Sequence, residues 1–159
     1  DNREAGAEDL KSSGLTSNDS GIGLAASGRT PYTIGALDYA RELGCFTACI
    51  TCVPDSAITK SVDVAIVPVV GPEPITGSTR MKSGTAQKMV LNMISTVAMI
   101  RLGYVTGNRM TNVRAGNEKL RDRAVRILMA ETGIDSKFEA EALLKKVNFS
   151  IRDALENRP

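Results

Sequence analysis

A chain of 159 residues, 42% hydrophobic and 24% charged, has the length of one ordinary domain and enough apolar material for a core. The net charge of +2 is close to balanced, and its basic residues are interleaved with Glu and Asp, which argues against a nucleic-acid surface. With no histidine, the chain excludes Ser-His and Cys-His nucleophile schemes and a closed zinc site, so acid–base chemistry must use carboxylates, Lys, Tyr or Cys.

Asp1 to Thr16 has a helical look, with acidic residues early and Leu10 near its end, and the acidic run Asp1 to Asp9 is no signal peptide. Ser20 to Ala26 reads as a buried strand running into Ser27-Gly28-Arg29-Thr30-Pro31, where Pro31 suits the first helical position and Thr30 the N-cap. The helix Pro31 to Leu43 places Ile34, Leu37, Ala40 and Leu43 on one side and stops at Gly44. Cys45 to Thr51 follows as a strand fit for burial on both faces. Cys49 and Cys52 have CxxC spacing, but there is no second pair, and Cys45, Cys49 and Cys52 are expected as buried thiols in a reducing compartment.

Val53-Pro54-Asp55-Ser56 turns the chain into a short helix near Ala57 to Ser61, and Val62 to Val67 is a third strand. This alternation predicts βαβ units, a parallel sheet with right-handed crossovers, and ligands at the carboxyl ends of the strands. The next stretch, Gly71 to Lys88, is a proline-stiffened approach followed by a hydroxyl- and cation-rich loop that empties into a helix. Free backbone N–H groups, Thr79, Arg80 and Lys82 at such an entrance can hold an anion; a simple capped turn is the alternative.

Ala86, Met89, Val90, Met93, Ile94, Val97 and Ile100 keep helical period until Gly103, predicting a stripe buried as core, against the sheet or a partner subunit. Gln87, Lys88, Asn92 and Ser95 interrupt the stretch on one side, so it is not read as a membrane span. A helix from about Arg114 to Glu131 carries Leu120, Ala124, Ile127 and Leu128 and ends at Gly133; two short helices are expected around Phe138 to Val147 and Ser150 to Leu155.

Ala26-Ser27-Gly28-Arg29-Thr30 after a strand resembles the phosphate loop of SIS (sugar isomerase) domains. Gly71 to Lys88 is similar to the signature shared by N-acetylmuramic acid 6-phosphate etherases and glucokinase regulatory proteins. The resemblance to the etherases extends through Pro31-Tyr32, Thr85 to Met93, and Asn117-Glu118-Lys119-Leu120-Arg121. It implies an α/β fold: a SIS-type parallel sheet flanked by helices, three-layer αβα, with the N-terminal part missing and a small C-terminal helical appendage. Residues 1–133 would form the phosphosugar-binding domain, and 134–159 the helical tail.

The family chain is longer. Its first strand, first glycine-rich loop and both glutamates given acid–base roles would lie upstream of Asp1, so no catalytic residue is assigned within this chain.

The implied reaction eliminates D-lactate from C3 of N-acetylmuramic acid 6-phosphate and then adds water to the unsaturated intermediate, giving N-acetylglucosamine 6-phosphate and D-lactate. Two carboxylates in different environments suffice, with no metal or redox cofactor. Ser27, Gly28, Arg29 and Thr30 are the first candidates for phosphate contact, and Ser78, Thr79, Arg80 and Lys82 the second. Thr30 has a plain N-cap as its alternative role and Lys82 a surface salt bridge. Glu73 could reach the sugar or be a solvated loop carboxylate, and Glu118 suits a subunit contact or the surface.

The resemblance further implies a phosphorylated amino sugar as ligand, a homodimer, a cytoplasmic setting, and no nucleic-acid or membrane partner. A non-catalytic sugar-phosphate sensor is the alternative; a phosphosugar isomerase fits the long signature less well. An incomplete sheet would leave the strand around Ile22 with an open edge and an exposed apolar face.

Overall fold

The computed structural model describes residues 2–112 and 115–156, which fall into two units, Asp1–Ile94 and Ser95–Pro159. In the first, helix α1 (Arg3–Ser12) starts where the Asn2 side chain accepts from the N–H groups of Glu4 and Ala5, at 2.8 and 3.2 Å. Strand β1 (Ser20–Leu24), helix α2 (Pro31–Glu42), strand β2 (Phe46–Ile50), a 3₁₀ turn (Ala57–Ser61) and strand β3 (Val64–Ile66) follow. The sheet is parallel in the order β1-β2-β3, with Gly23 opposite Cys49 and Cys49 opposite Ala65. The expected βαβ arrangement is therefore present.

Strand β2 is central, and Thr47, Ala48, Cys49 and Ile50 are all buried, as its β-branched and small residues predicted. The expectation of a buried β1 does not hold. Gly21 and Gly23 face α2, close enough that a Cβ on Gly23 would lie 2.5 Å from the Leu37 side chain. Ile22 and Leu24 on the opposite face stay 41% and 39% exposed. An edge strand is covered only where a helix packs on it, and among the described residues β1 has one strand neighbour.

The start of β2 is pinned by Asp63, whose carboxylate accepts from the N–H and the hydroxyl of Thr47 at 2.7 and 2.9 Å. These donors, the Thr47 N–H foremost, hold the Asp63 carboxyl below its usual range, with Arg41 adding in the same direction. A depressed folded pKa contributes stability that is complete above the unfolded value and is lost as pH falls through the folded one. Unit stability followed by urea titration should therefore fall below about pH 4. That acid sensitivity should be shallower in Asp63→Asn; an unchanged slope would mean that Asp63 contributes nothing to it.

Helix α3 (Lys82–Arg101) has the predicted length, but its apolar stripe is not core in this chain. Only Ser83 and Val90 are buried, whereas Met89, Met93, Val97 and Ile100 are 54%, 56%, 54% and 49% exposed. Periodicity reports that a helix has an apolar side; it does not report what covers that side. Among the described residues no helix is long and apolar enough to cross a membrane.

In the second unit, the end of α3 is followed by an antiparallel hairpin that the sequence reading did not include, β4 (Val105–Thr106) and β5 (Arg109–Met110), turning at Gly107 with φ of 58°. Helix α4 (Glu118–Thr132) begins where Asn117 Oδ1 accepts from the Leu120 N–H at 2.9 Å and ends at left-handed Gly133. The expected start at Arg114 lies outside the described residues. Helices α5 (Lys137–Lys146) and α6 (Ile151–Glu156) pack on α4, burying Ala124, Leu128, Ala140, Leu144 and Ile151 together.

Candidate functional site

The residues after β2 tie three polar segments to the carboxyl end of the sheet. Cys52 N–H donates to the Ala26 carbonyl at 3.0 Å and Ala25 N–H to that of Ile50 at 3.2 Å, fixing the loop after β1. Ile58 N–H donates to the Gly28 carbonyl at 3.0 Å, adding the turn after β2. Gln87 Nε2 donates to the Ile50 carbonyl at 3.0 Å, bringing in the first turns of α3. In a parallel sheet this edge is where loops and helix N-termini converge.

In the loop after β1, Gly28 adopts φ of 65° and is buried, while Ser27 and Thr30 are half-buried and Arg29 is exposed. Thr30 is the N-cap residue of α2, yet its side chain makes no capping hydrogen bond, and Pro31 has no N–H to satisfy. Thr30 is thus a cap by backbone position only, and its hydroxyl and the first N–H groups of α2 lack the side-chain bond that usually joins them. Arg29 has no ion-pair partner among the described residues. Hydroxyls, an unpaired guanidinium and a helix N-terminus together suit an oxyanion.

Beneath this loop lies a residue that the sequence reading passed over. Ser56 is only 8% exposed, and its buried hydroxyl has no hydrogen-bond partner among the described residues. A Cβ built on Gly28 would stand 2.0 Å from Ser56 Oγ and 2.8 Å from Thr51 Oγ1, so only glycine fits at position 28. The signal was the Pro54-Asp55-Ser56 turn at a strand's carboxyl end, which reads locally as punctuation.

The entrance to α3 differs from the expectation of free N–H groups. The Glu73 carboxylate accepts from the N–H groups of Lys82 and Ser83, both at 3.0 Å, so the anion at this helix start belongs to the chain itself. The Ser83 and Lys82 amides, more than the charge of Lys82, hold the Glu73 carboxyl below its usual range. Neither expected role of Glu73, sugar contact or solvated loop carboxylate, describes this use. Between its ends the segment is folded by Ser78 N–H to Ile75 carbonyl and Gly84 N–H to Thr79 carbonyl bonds, at 3.1 and 2.9 Å. Thr79, Arg80 and Lys82 are exposed and Ser78 half-buried.

Cys45, Cys49 and Cys52 are buried free thiols, and burial pushes the Cys49 thiol pKa up, away from nucleophilic use. Glu118 is exposed at the first turn of α4.

The parallel sheet flanked by helices, with the smaller helices at the C-terminal end of the chain, is an α/β arrangement consistent with the SIS type. No protein-family model matches the chain. Over 150 residues, 94% of its length, the chain is 59% identical to proteins named N-acetylmuramic acid 6-phosphate etherase from Yersinia pestis (strain Pestoides F) and Yersinia pseudotuberculosis (serotype O:1b, strain IP 31758). The same identity and coverage hold for the protein of that name from Yersinia pestis bv. Antiqua (strain Angola). The chain spans about half, 50%, of the length of these curated relatives.

Proposed function

We propose that the chain is the sugar-phosphate-holding part of an N-acetylmuramic acid 6-phosphate etherase, a carbon–oxygen lyase of amino-sugar catabolism and cell-wall recycling. The observation that carries the proposal is the α2 entrance, where Ser27, Gly28, Arg29 and Thr30 surround N–H groups without a side-chain cap. Identity of 59% to proteins of that name supports the substrate. The phosphate of a phosphorylated amino sugar would lie against these four residues, with Ser78, Thr79, Arg80 and Lys82 meeting the sugar or the phosphate from the second loop.

Elimination requires a base at C2 of the open-chain sugar, where the C1 aldehyde acidifies the proton, and an acid at the departing lactyl oxygen; water then adds at C3 of the unsaturated sugar to give N-acetylglucosamine 6-phosphate. Two carboxylates can perform both tasks, so no metal or redox cofactor is proposed. Glu73 is committed to α3, which favours binding without turnover for this chain alone, the behaviour of a sugar-phosphate sensor.

A cytoplasmic setting fits the three buried free thiols. The exposed side of α3 supports a homodimer, because Met89, Met93, Val97 and Ile100 form an apolar stripe of the kind that subunit contacts cover.

The test is incubation with N-acetylmuramic acid 6-phosphate, following ligand-induced thermal stabilisation and lactate release, with sedimentation run alongside. Stabilisation without lactate is expected for the chain alone, and loss of stabilisation in Arg29→Ala would assign it to the α2 loop. No stabilisation would overturn the site; a monomer at micromolar concentration would overturn the dimer.

A further inference from the structure

A carboxylate nine residues upstream of a helix is a long way to reach for a cap. Ser, Thr, Asp or Asn immediately before the helix would satisfy the same N–H groups without closing a loop. Here Met81 precedes α3 and offers no side-chain oxygen, so the first turn depends on Glu73. What the distant cap adds is closure of the segment between the two.

That segment is stiffened at one end, where Pro72 and Pro74 flank Glu73. At the other end it is fastened to the sheet: Gln87 donates to the Ile50 carbonyl, and the Cys52 thiol approaches the Ser83 carbonyl at 3.9 Å. The middle carries half-buried Ser78 and exposed Thr79 and Arg80, and is folded by the Ser78–Ile75 and Gly84–Thr79 backbone bonds. An anchored helix start, a stiffened carboxylate and a polar span between them make a strap with one ionic latch.

We infer that Glu73 is a positioning residue: its carboxylate latches the 73–83 strap to the first N–H groups of α3 and so sets Ser78, Thr79 and Arg80 for the sugar phosphate. The ligand's own anion is then left to the α2 entrance, because two N–H groups at α3 are already taken. The ligand half of this inference rests on the proposed sugar-phosphate site; the latch half rests on the two Glu73 hydrogen bonds. Glu73 touches no reacting atom in this role and acts through the loop it closes.

The experiment compares the full chain with Glu73→Gln and Glu73→Asp in two arms. In the first, limited trypsin digestion reads cleavage after Arg80 and Lys82, and hydrogen exchange reads the Lys82 and Ser83 amides. Glu73→Gln should speed both about tenfold, the scale of losing a charge-assisted hydrogen bond. The β2 amides should be unchanged, which separates an opened strap from a failed fold. Glu73→Asp keeps the charge and should fall between the two.

In the second arm, N-acetylmuramic acid 6-phosphate should bind Glu73→Gln about tenfold more weakly, on the same scale, while the affinity for inorganic phosphate stays as in the wild type. Unchanged cleavage and exchange in Glu73→Gln would overturn the latch whatever the ligand does. Faster cleavage with unchanged sugar-phosphate affinity would overturn the positioning role. A wild-type chain that binds neither phosphate would defeat the proposed function, and the latch would still be decided by the first arm.

Discussion

Replacing Gly35 by alanine is expected to part α1 from α2 and to destabilise the first unit at or beyond the upper end of the about 1–3 kcal/mol typical of overpacking. The added Cβ would sit 2.0 Å from the Arg3 carbonyl oxygen and 2.7 Å from its carbon, which are backbone atoms of the facing helix. No rotamer change relieves such a contact, so a whole helix must move. Moving α1 would disturb the Arg3–Asp38 ion pair and the 2.9 Å hydrogen bond that Tyr32 Oη donates to Asp9. The reciprocal site, Gly6, is equally tight, its virtual Cβ lying 2.0 Å from the Tyr32 carbonyl oxygen.

Two sites that report one displacement should not add. The denaturation midpoint of Gly6→Ala/Gly35→Ala should therefore lie close to that of the worse single variant, with faster hydrogen exchange in α1. Full additivity would mean that each glycine meets its own local obstacle rather than a shared helix crossing.

The second large effect is expected at Gly28. Alanine there must adopt φ of 65°, which costs roughly 1–2 kcal/mol for an ordinary residue. Its Cβ must also displace Ser56, whose Oγ and Cβ lie 2.0 and 2.4 Å from the virtual atom, adding an overpacking cost of about 1–3 kcal/mol. Ser56→Gly removes the side chain in the way and should recover part of the loss in the double variant. Ser56→Ala alone should be nearly neutral, since the hydroxyl it removes has no partner among the described residues. The measurement is a double-mutant cycle by urea denaturation, with ligand-induced stabilisation read on each variant. A double variant no more stable than Gly28→Ala would mean that backbone strain alone sets the cost.

The elements most legible in the sequence are those whose causes are local. The Thr30-Pro31 start of α2, the Gly133 stop of α4 and the βαβ alternation each follow from residues within a turn of where they act. The Gly107 hairpin escaped because strands of two residues carry no alternation to read. The position of Ser27, Gly28, Arg29 and Thr30 at a helix entrance was legible for the same local reason. Ser56 was not, because its importance comes from lying under Gly28, 28 positions earlier in the chain.

By itself, the sequence determined the helices and the three strands of the larger sheet, that this sheet is parallel, and which loops open onto its carboxyl edge, because periodicity, propensity and caps act over a few residues. Tertiary structure alone decided what each apolar side meets and which anion each helix start holds. The Met89–Ile100 stripe of α3 is apolar in sequence yet exposed, while Glu73 spends its charge on an N-terminus nine residues away. Burial and long-range hydrogen bonding depend on atoms brought together from distant parts of the chain, and no local pattern encodes that meeting.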